Sequence, residues 1–461
     1  MTAARRGADR TSSASPGGPR RAGRPAQSTR RGASESPVLR VEALAYGGDG
    51  VARFEERVVF IPDALPGDTV RARIVLDKGS YLRGVLLDLL EPSPDRVEPF
   101  CSLADRCGGC QWQKLAYPAQ LRWKRAIAEE SLRRIGGFRD IQVEECIPSP
   151  VERGWRTVAR FPSAAVDGRF TMGYFERRSR RIVDMVSCPL AADRVNRIAE
   201  SVRGLPGVGR MDIREVTIRA SWNHSSALVS ILLGRREDMR VCVDALTGSD
   251  WGIEGVSLWH EDAPGELRRL RVFGSPYRFE MVNGRTFRIE ERSFFQINIP
   301  QAERLVRLAG EALRLEDGKT LVDGYGGVGL FSLGSASPAT EVKLFDTAEW
   351  AVGDAAYNAR VLGFERFASH TGAAGTAFGE FGGAGCLIID PPRAGLGLAA
   401  VKEACLFGAE RIAYVSCNPT TLARDLRSFT DRGYRVARVT PVDMFPHTFH
   451  IEAVAELIRG E

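Results

Sequence analysis

From about residue 289 to the end of the chain, short apolar runs that finish in an acid, a glycine turn or a cysteine alternate with helical stretches. The runs are 320–323, 341–346, 386–390, 411–417 and 434–442. Strands alternating with helices are joined by crossovers, so they line up as a parallel sheet with helices on both faces. This doubly wound α/β pattern constrains the fold more than any other feature of the chain. Ligands of such sheets bind outside the carboxyl ends of the strands. The unusual residues of this region fall there.

Leu321-Val322-Asp323 leads into Gly324-Tyr325-Gly326-Gly327-Val328-Gly329, a strand, a glycine-rich turn and a helix start. Glycines let a backbone approach a ligand closely. The next run ends at Asp346, about 20 residues on, where an acid can accept hydrogen bonds from both ribose hydroxyls. Together they predict an adenosine-containing cofactor, with NAD and S-adenosylmethionine both open. Leu387-Ile388-Ile389 then runs into Asp390-Pro391-Pro392-Arg393, a stiff loop that would hold a carboxylate beside a bound base. Asp-Pro-Pro can be a plain turn. The next strand, however, ends in Ser416-Cys417-Asn418-Pro419 at the same edge.

A cysteine at that edge suits one chemistry. Uracil C5 is a poor nucleophile until a thiolate adds to C6, and after methylation a base must remove the C5 proton. Cys417 is the expected nucleophile, with the start of the following helix expected to lower its pKa. Glu452, opening the last apolar strand, is the expected base. Cys386 and Cys405 lie in apolar surroundings and read as structural.

Upstream, residues 96–288 form a mixed region holding Cys101, Cys107, Gly108, Gly109 and Cys110, with Cys188 far downstream. Nine cysteines in a chain without an apolar leader or membrane span predict a cytoplasmic protein that uses thiols for metal or catalysis. Four thiolates suit an iron-sulfur cluster or zinc. Residues 37–95 are β-rich runs separated by glycine turns, which predicts a small barrel. The net charge of +6 sits wholly in residues 1–36, where eight arginines face two acids. That Ser/Gly/Pro/Arg-rich tail is expected to be disordered. The rest carries 56 bases and 56 acids, so nucleic-acid binding must come from local patches. Residues 150–190 provide one, with eight bases against four acids, including Arg177, Arg178, Arg180 and Arg181.

The order Phe294-Phe295-Gln296-Ile297-Asn298, Asp323 to Gly329, Asp390-Pro391-Pro392-Arg393, Ser416-Cys417-Asn418-Pro419 and His450-Ile451-Glu452 resembles the RNA uracil-C5 methyltransferase family. The resemblance implies a Rossmann-like S-adenosylmethionine domain over 289–461. Gln296, Tyr325 and Asp346 would hold the cofactor, Asp390 would stand between cofactor and flipped base, and Cys417 and Glu452 would be nucleophile and base. The cysteine spacing resembles the iron-sulfur members, which implies a 4Fe-4S cluster on Cys101, Cys107, Cys110 and Cys188. The barrel resembles the TRAM domain, an RNA-binding module. Barrel and cysteines together imply 23S ribosomal RNA as substrate, and a monomeric enzyme is expected. A transfer-RNA enzyme, an exocyclic-nitrogen methyltransferase and a non-catalytic RNA-binding iron-sulfur assembly factor are the alternatives. Departures lie at Gly326, where the family commonly has Cys, and at Leu330, where it has Asn. A base in folded RNA must be flipped out, so Phe294 and Phe295 are stacking candidates, one of them expected in the core. The four arginines near 180 and Arg393 are candidates for phosphate contacts.

Overall fold

The computed structural model describes residues 36–235, 239–316, 318–373 and 385–460. Apart from Ser36, the tail expected to be disordered lies outside the described residues. Five strands, β1 (Val38–Leu44), β2 (Gly50–Phe54), β3 (Arg57–Ile61), β4 (Thr69–Asp77) and β5 (Tyr81–Glu91), close into a barrel in the order β1-β2-β3-β5-β4. Alternation points Leu39, Val41, Ala52, Val59, Ile61, Val70 and Leu82 inward, and closure removes unpaired strand edges.

Helix α1 (Tyr117–Arg134) follows the first three cysteines. Next comes a seven-stranded sheet with two helices: β6 (Val158–Val166), β7 (Arg169–Phe175), β8 (Ile182–Asp184), α2 (Asp193–Arg203), β9 (Ile213–Ala220), β10 (Ala227–Leu233), α3 (Arg240–Thr247), β11 (Ile253–Ala263) and β12 (Glu266–Gly274). Its order is β12-β11-β10-β9-β6-β7-β8. Val195 and Ile198 of α2 and Val243 and Leu246 of α3 pack with Val216, Ile218, Val229 and Val256 in one core.

A hairpin, β13 (Tyr277–Val282) and β14 (Arg285–Glu290), leads into the carboxyl-terminal unit. Val282, Phe287 and Ile289 join its core rather than that of the preceding sheet. The elements are α4 (Ile299–Leu313), β15 (Thr320–Gly324), α5 (Leu330–Ser335), β16 (Glu341–Asp346), α6 (Glu349–Val361), β17 (Phe367–Thr371), β18 (Cys386–Ile389), α7 (Gly397–Phe407), β19 (Arg411–Ser416), α8 (Pro419–Thr430), β20 (Tyr434–Val442) and β21 (Glu452–Arg459). The sheet order is β17-β16-β15-β18-β19-β21-β20. The first five strands are parallel, and β21 is antiparallel to both neighbours. From β15 the chain proceeds outward to β16 and β17, then returns to lay β18 on the other side. The crevice of the sheet therefore opens at the ends of β15 and β18.

Candidate active site

Ser416 pairs with Ala453 across β19 and β21. Cys417, the first residue beyond β19, and Glu452, the first of β21, therefore meet at one end of the sheet. Ile389 pairs with Tyr414 and with Gly324, which brings Asp390 and Tyr325 to the same edge on the next two strands. The two central loops are latched together: Asn418 Nδ2 and Thr421 Oγ1 donate to the Arg393 carbonyl at 3.1 and 3.2 Å.

The loop before Glu452 is held from behind. Buried Lys124 of α1 bonds Asp443 Oδ1 at 2.5 Å and the Phe445 carbonyl at 3.1 Å. Gln120 Oε1 accepts from the His447 N–H at 2.9 Å, and the Trp112 N–H donates to the His447 carbonyl at 3.0 Å. A buried ion pair of this kind costs several kcal/mol to break from one side, so this loop has little freedom.

Charge is crowded at the strand ends. Burial first, then Asp390, pushes the Glu452 carboxyl well above the usual range, with Arg393 opposing. Asp390 is pushed up to about 7 by burial and then by Asp323 and Asp346. Burial likewise takes Asp323 to about 7; Oδ2 accepts from the Ser332 N–H at 3.2 Å, while buried Oδ1 has no partner. Cys417 is pushed up to about 11 by burial, then by Glu452 and Asp390, with Arg393 opposing. This corrects the expectation that the helix start would lower it. Asn418 already caps α8, its Oδ1 accepting from the Thr420 N–H at 3.0 Å, and burial, followed by two carboxyl groups, outweighs what remains of the helix field. The resting group is a thiol. Arg393 makes no ion pair among the described residues and faces this pocket.

On the β15–β16 side, Asp346 accepts from the Gly327 N–H at 3.0 Å and the Ala348 N–H at 2.8 Å, which fixes its carboxylate against the glycine turn. Tyr325 holds that turn at φ 64° with its ring 6.4 Å from Phe345. Gln296 is buried, and its amide makes no hydrogen bond among the described residues. Two residues on, Asn298 caps α4 and donates to the Met444 carbonyl at 3.1 Å. Phe295 is in the core against Phe287, whereas Phe294 is 72% exposed. A Cβ at Gly326 would stand 2.6 Å from Leu344 and 2.9 Å from Asp323, so the departure there is matched by its neighbours. Leu330 is buried in the apolar core.

Residues 377–459 match the tRNA (Uracil-5-)-methyltransferase family, and residues 38–87 match the TRAM domain. An uncharacterized RNA methyltransferase of Gloeobacter violaceus is 34% identical over 95% of this chain and 100% of its own length. A second, from Halalkalibacterium halodurans, is 33% identical over 90% of this chain and 95% of its own. The chain belongs to the RNA uracil-5-methyltransferase family. Among solved structures, the Pyrococcus abyssi tRNA (uracil-54, C5)-methyltransferase in complex with S-adenosyl-L-homocysteine covers 92% of this chain at a TM-score of 0.73 and 26% identity, and 100% of that chain is matched. This uracil-5-methyltransferase therefore has the α/β fold of S-adenosylmethionine enzymes, an RNA substrate and a TRAM barrel. Among the described residues, no helix is long and apolar enough to cross a membrane.

Four other cysteines of the methyltransferase also come together. Cys101, Cys107, Cys110 and Cys188 line one enclosed cavity with Arg156 and Tyr174. The Gly109 N–H donates to Cys107 Sγ at 3.4 Å. Burial raises Cys107 and takes Cys110 to about 11. Arg156 bonds the Tyr174 hydroxyl at 2.9 Å, lies over the Trp155 and Tyr174 rings, and has a buried Nε with no partner. Among the described residues, no three His, Cys, Asp or Glu side chains converge as ligands of a single metal ion.

The basic stretch is mostly spoken for. Arg177 pairs with Asp63 of the barrel and donates to the Ala104 and Cys110 carbonyls at 3.1 Å. Arg178 reaches Asp49 at 3.4 Å and Arg181 reaches Glu176 at 2.5 Å. Arg180 alone of the four makes no ion pair among the described residues. The expected phosphate patch is thus chiefly a latch between the barrel and the cysteine loop.

Sequence reasoning missed Tyr46, whose hydroxyl bonds the Cys417 carbonyl at 3.3 Å, and Arg156 beside the thiols. Tyr46 precedes a glycine turn and reads locally as turn punctuation. No linear signal joins positions 46 and 417.

Proposed function

We propose that this enzyme methylates uridine C5 in 23S ribosomal RNA through a Cys417 adduct, acting as a cytoplasmic monomer. The observation that carries the mechanism is the meeting of Cys417, Glu452 and Asp390 at adjoining strand ends. Asp346, Gln296 and Tyr325 would hold S-adenosylmethionine, and Gln296's unpartnered amide together with the orphan Asp323 oxygen suits a polar ligand in that crevice. The cofactor supplies an electrophilic methyl group. Cys417, once deprotonated, adds through sulfur to C6, and the ring electrons move onto the C4 oxygen. After C5 has taken the methyl group, Glu452 accepts the C5 proton, the C5–C6 double bond re-forms, and the thiolate leaves. Asp390, kept partly protonated by burial and by its acidic neighbours, can donate to or accept from the base edge. Arg393 stabilises the thiolate while it exists.

Cys101, Cys107, Cys110 and Cys188 would hold a 4Fe-4S cluster. Four thiols spread around one cavity suit the corners of a cube better than a point ion, an N–H to sulfur bond is already made, and the Arg156 cation faces the anionic thiolates. When bound, the cluster supplies a rigid crosslink between the loop 101–110 and Cys188.

The ribosomal target rests on the pairing of barrel and cysteines. A transfer-RNA target is the second reading, favoured by the name of the solved neighbour. Mapping 5-methyluridine in ribosomal and transfer RNA from a deletion strain separates them: the site lost is the substrate. Release of tritium from C5-labelled uridine RNA tests the reaction itself, and a methylated product without C5 tritium release would overturn it.

A further inference from the structure

We propose that Tyr46 of the barrel is a positioning residue of the active site, holding the backbone of the nucleophile and so tying methyl transfer to the seating of the barrel. The inference rests on the reading of Cys417 as nucleophile and extends it to a domain otherwise taken as an RNA-binding appendage.

Tyr46 lies in the loop between β1 and β2. That loop is closed by the Ala45 N–H on the Asp49 carbonyl at 2.9 Å and the Gly48 N–H on the Ala45 carbonyl at 3.0 Å. Gly47 and Gly48 stand at φ 113° and 95°, where a side chain would strain the backbone. A Cβ on Gly48 would also come within 3.4 Å of Gln111, Trp112 and Phe449. The loop is therefore pressed onto the rest of the molecule, and Tyr46 reaches past it.

The reach has two ends. The Tyr46 hydroxyl donates to the Cys417 carbonyl at 3.3 Å. The ring meets Phe449 edge-on, with centroids 5.9 Å apart at 88°, and Phe449 lies 4.3 Å from His450, two residues before Glu452. One barrel side chain thus touches both the loop of the nucleophile and the loop of the base. The surrounding contact is apolar and continuous: Leu44 and Leu65 of the barrel share a core with Trp112, Leu115 and Ile451, the residue next to Glu452. Arg177–Asp63 and Arg178–Asp49 add ion pairs beside the same loop. Burial, then Cys417, raises the Tyr46 hydroxyl above its ordinary range, with Arg393 opposing and Glu452 adding. The group faces the same charges as the nucleophile and stays a donor throughout the working pH range.

A single neutral hydrogen bond to a carbonyl adds little to folding. Its value here is geometric. Sulfur must meet C6 along a defined direction, and small misplacements of a reacting atom cost rate. Without the hydroxyl, the Cys417 carbonyl can swing, and the sulfur with it. RNA that shifts the barrel would shift the nucleophile through the same bond.

The test is Tyr46→Phe in the full chain, which keeps the ring on Phe449 and removes only the hydroxyl. Single-turnover methylation and adduct formation with 5-fluorouridine RNA should fall about three- to tenfold, while KM for RNA and the melting temperature stay unchanged. Wild-type rates in Tyr46→Phe, or a loss carried by KM, would overturn the proposal. Wild-type enzyme run alongside separates the two readings. If it forms no adduct through Cys417, the nucleophile assignment has failed; if it does and Tyr46→Phe matches it, only the role of Tyr46 has failed.

Discussion

The strand-end pocket and the four-cysteine cavity each gather reactive side chains, and they do so on opposite electrostatic plans. At the strand ends, burial first and neighbouring acids second raise Asp323, Asp390, Glu452 and Cys417, with Arg393 the cation that opposes the rise of Glu452 and Cys417. Around the cavity, the thiols sit among apolar walls with a cation, Arg156, already beside them. The first arrangement is unfavourable until a ligand arrives, and a cationic methyl donor would relieve it. The second also holds its thiols neutral by burial, but it already carries a cation that would offset anionic sulfur once a bound group had displaced the thiol protons. On the proposed reading, the buried and crowded acids mark the place of turnover and the cation beside the thiols marks a staple.

The sharpest break in that comparison is Cys417→Ala. Methyl transfer and the covalent RNA adduct should both vanish, with RNA affinity held within about twofold; residual turnover in a single-turnover assay would refute the nucleophile. Glu452→Gln should still transfer the methyl group to C5 but release the product about 100- to 10,000-fold more slowly. It is seen as an adduct that survives a denaturing gel, and normal release would remove Glu452 from the mechanism.

Cys188→Ala addresses the other region. Iron content should drop from about four per chain to near zero and the melting temperature should fall, while single-turnover chemistry on bound RNA drops by less than about tenfold. Chemistry abolished along with the iron would collapse the distinction between staple and turnover site.

The pH response sharpens the strand-end picture. Because the Cys417 thiol is raised to about 11, the thiolate fraction increases with pH across the neutral range. Adduct formation should rise about tenfold per pH unit between 7 and 9; a flat profile would mean that a neighbour takes the thiol proton during attack. The smallest effect is expected from deleting residues 1–36, which removes the net charge of +6 and should alter kcat/KM by less than about twofold.

Much of this enzyme was legible in the chain. Strand-ending acids, the glycine turn and the Cys417 and Glu452 pairing follow from periodicity and from what uracil chemistry requires, because a parallel sheet delivers every strand end to one edge and the antiparallel last strand begins at that edge. The barrel followed from turn spacing. The pairing of the arginine stretch was not legible, since free and paired guanidinium groups look alike until Asp63, Asp49 and Glu176 are in place. The direction of the Cys417 shift was misread, because local position shows the helix start but neither the burial of the thiol nor the carboxyl groups brought in on other strands.

By itself the sequence determined the α/β and barrel units, the reactive groups and their order, all of them properties of local pattern and side-chain chemistry. Only the tertiary structure decided which of those groups feel one another. Desolvation and Coulomb interactions depend on distances through space, and it is packing that places Tyr46 at the nucleophile, Arg177 on the barrel and Asp390 beside Glu452.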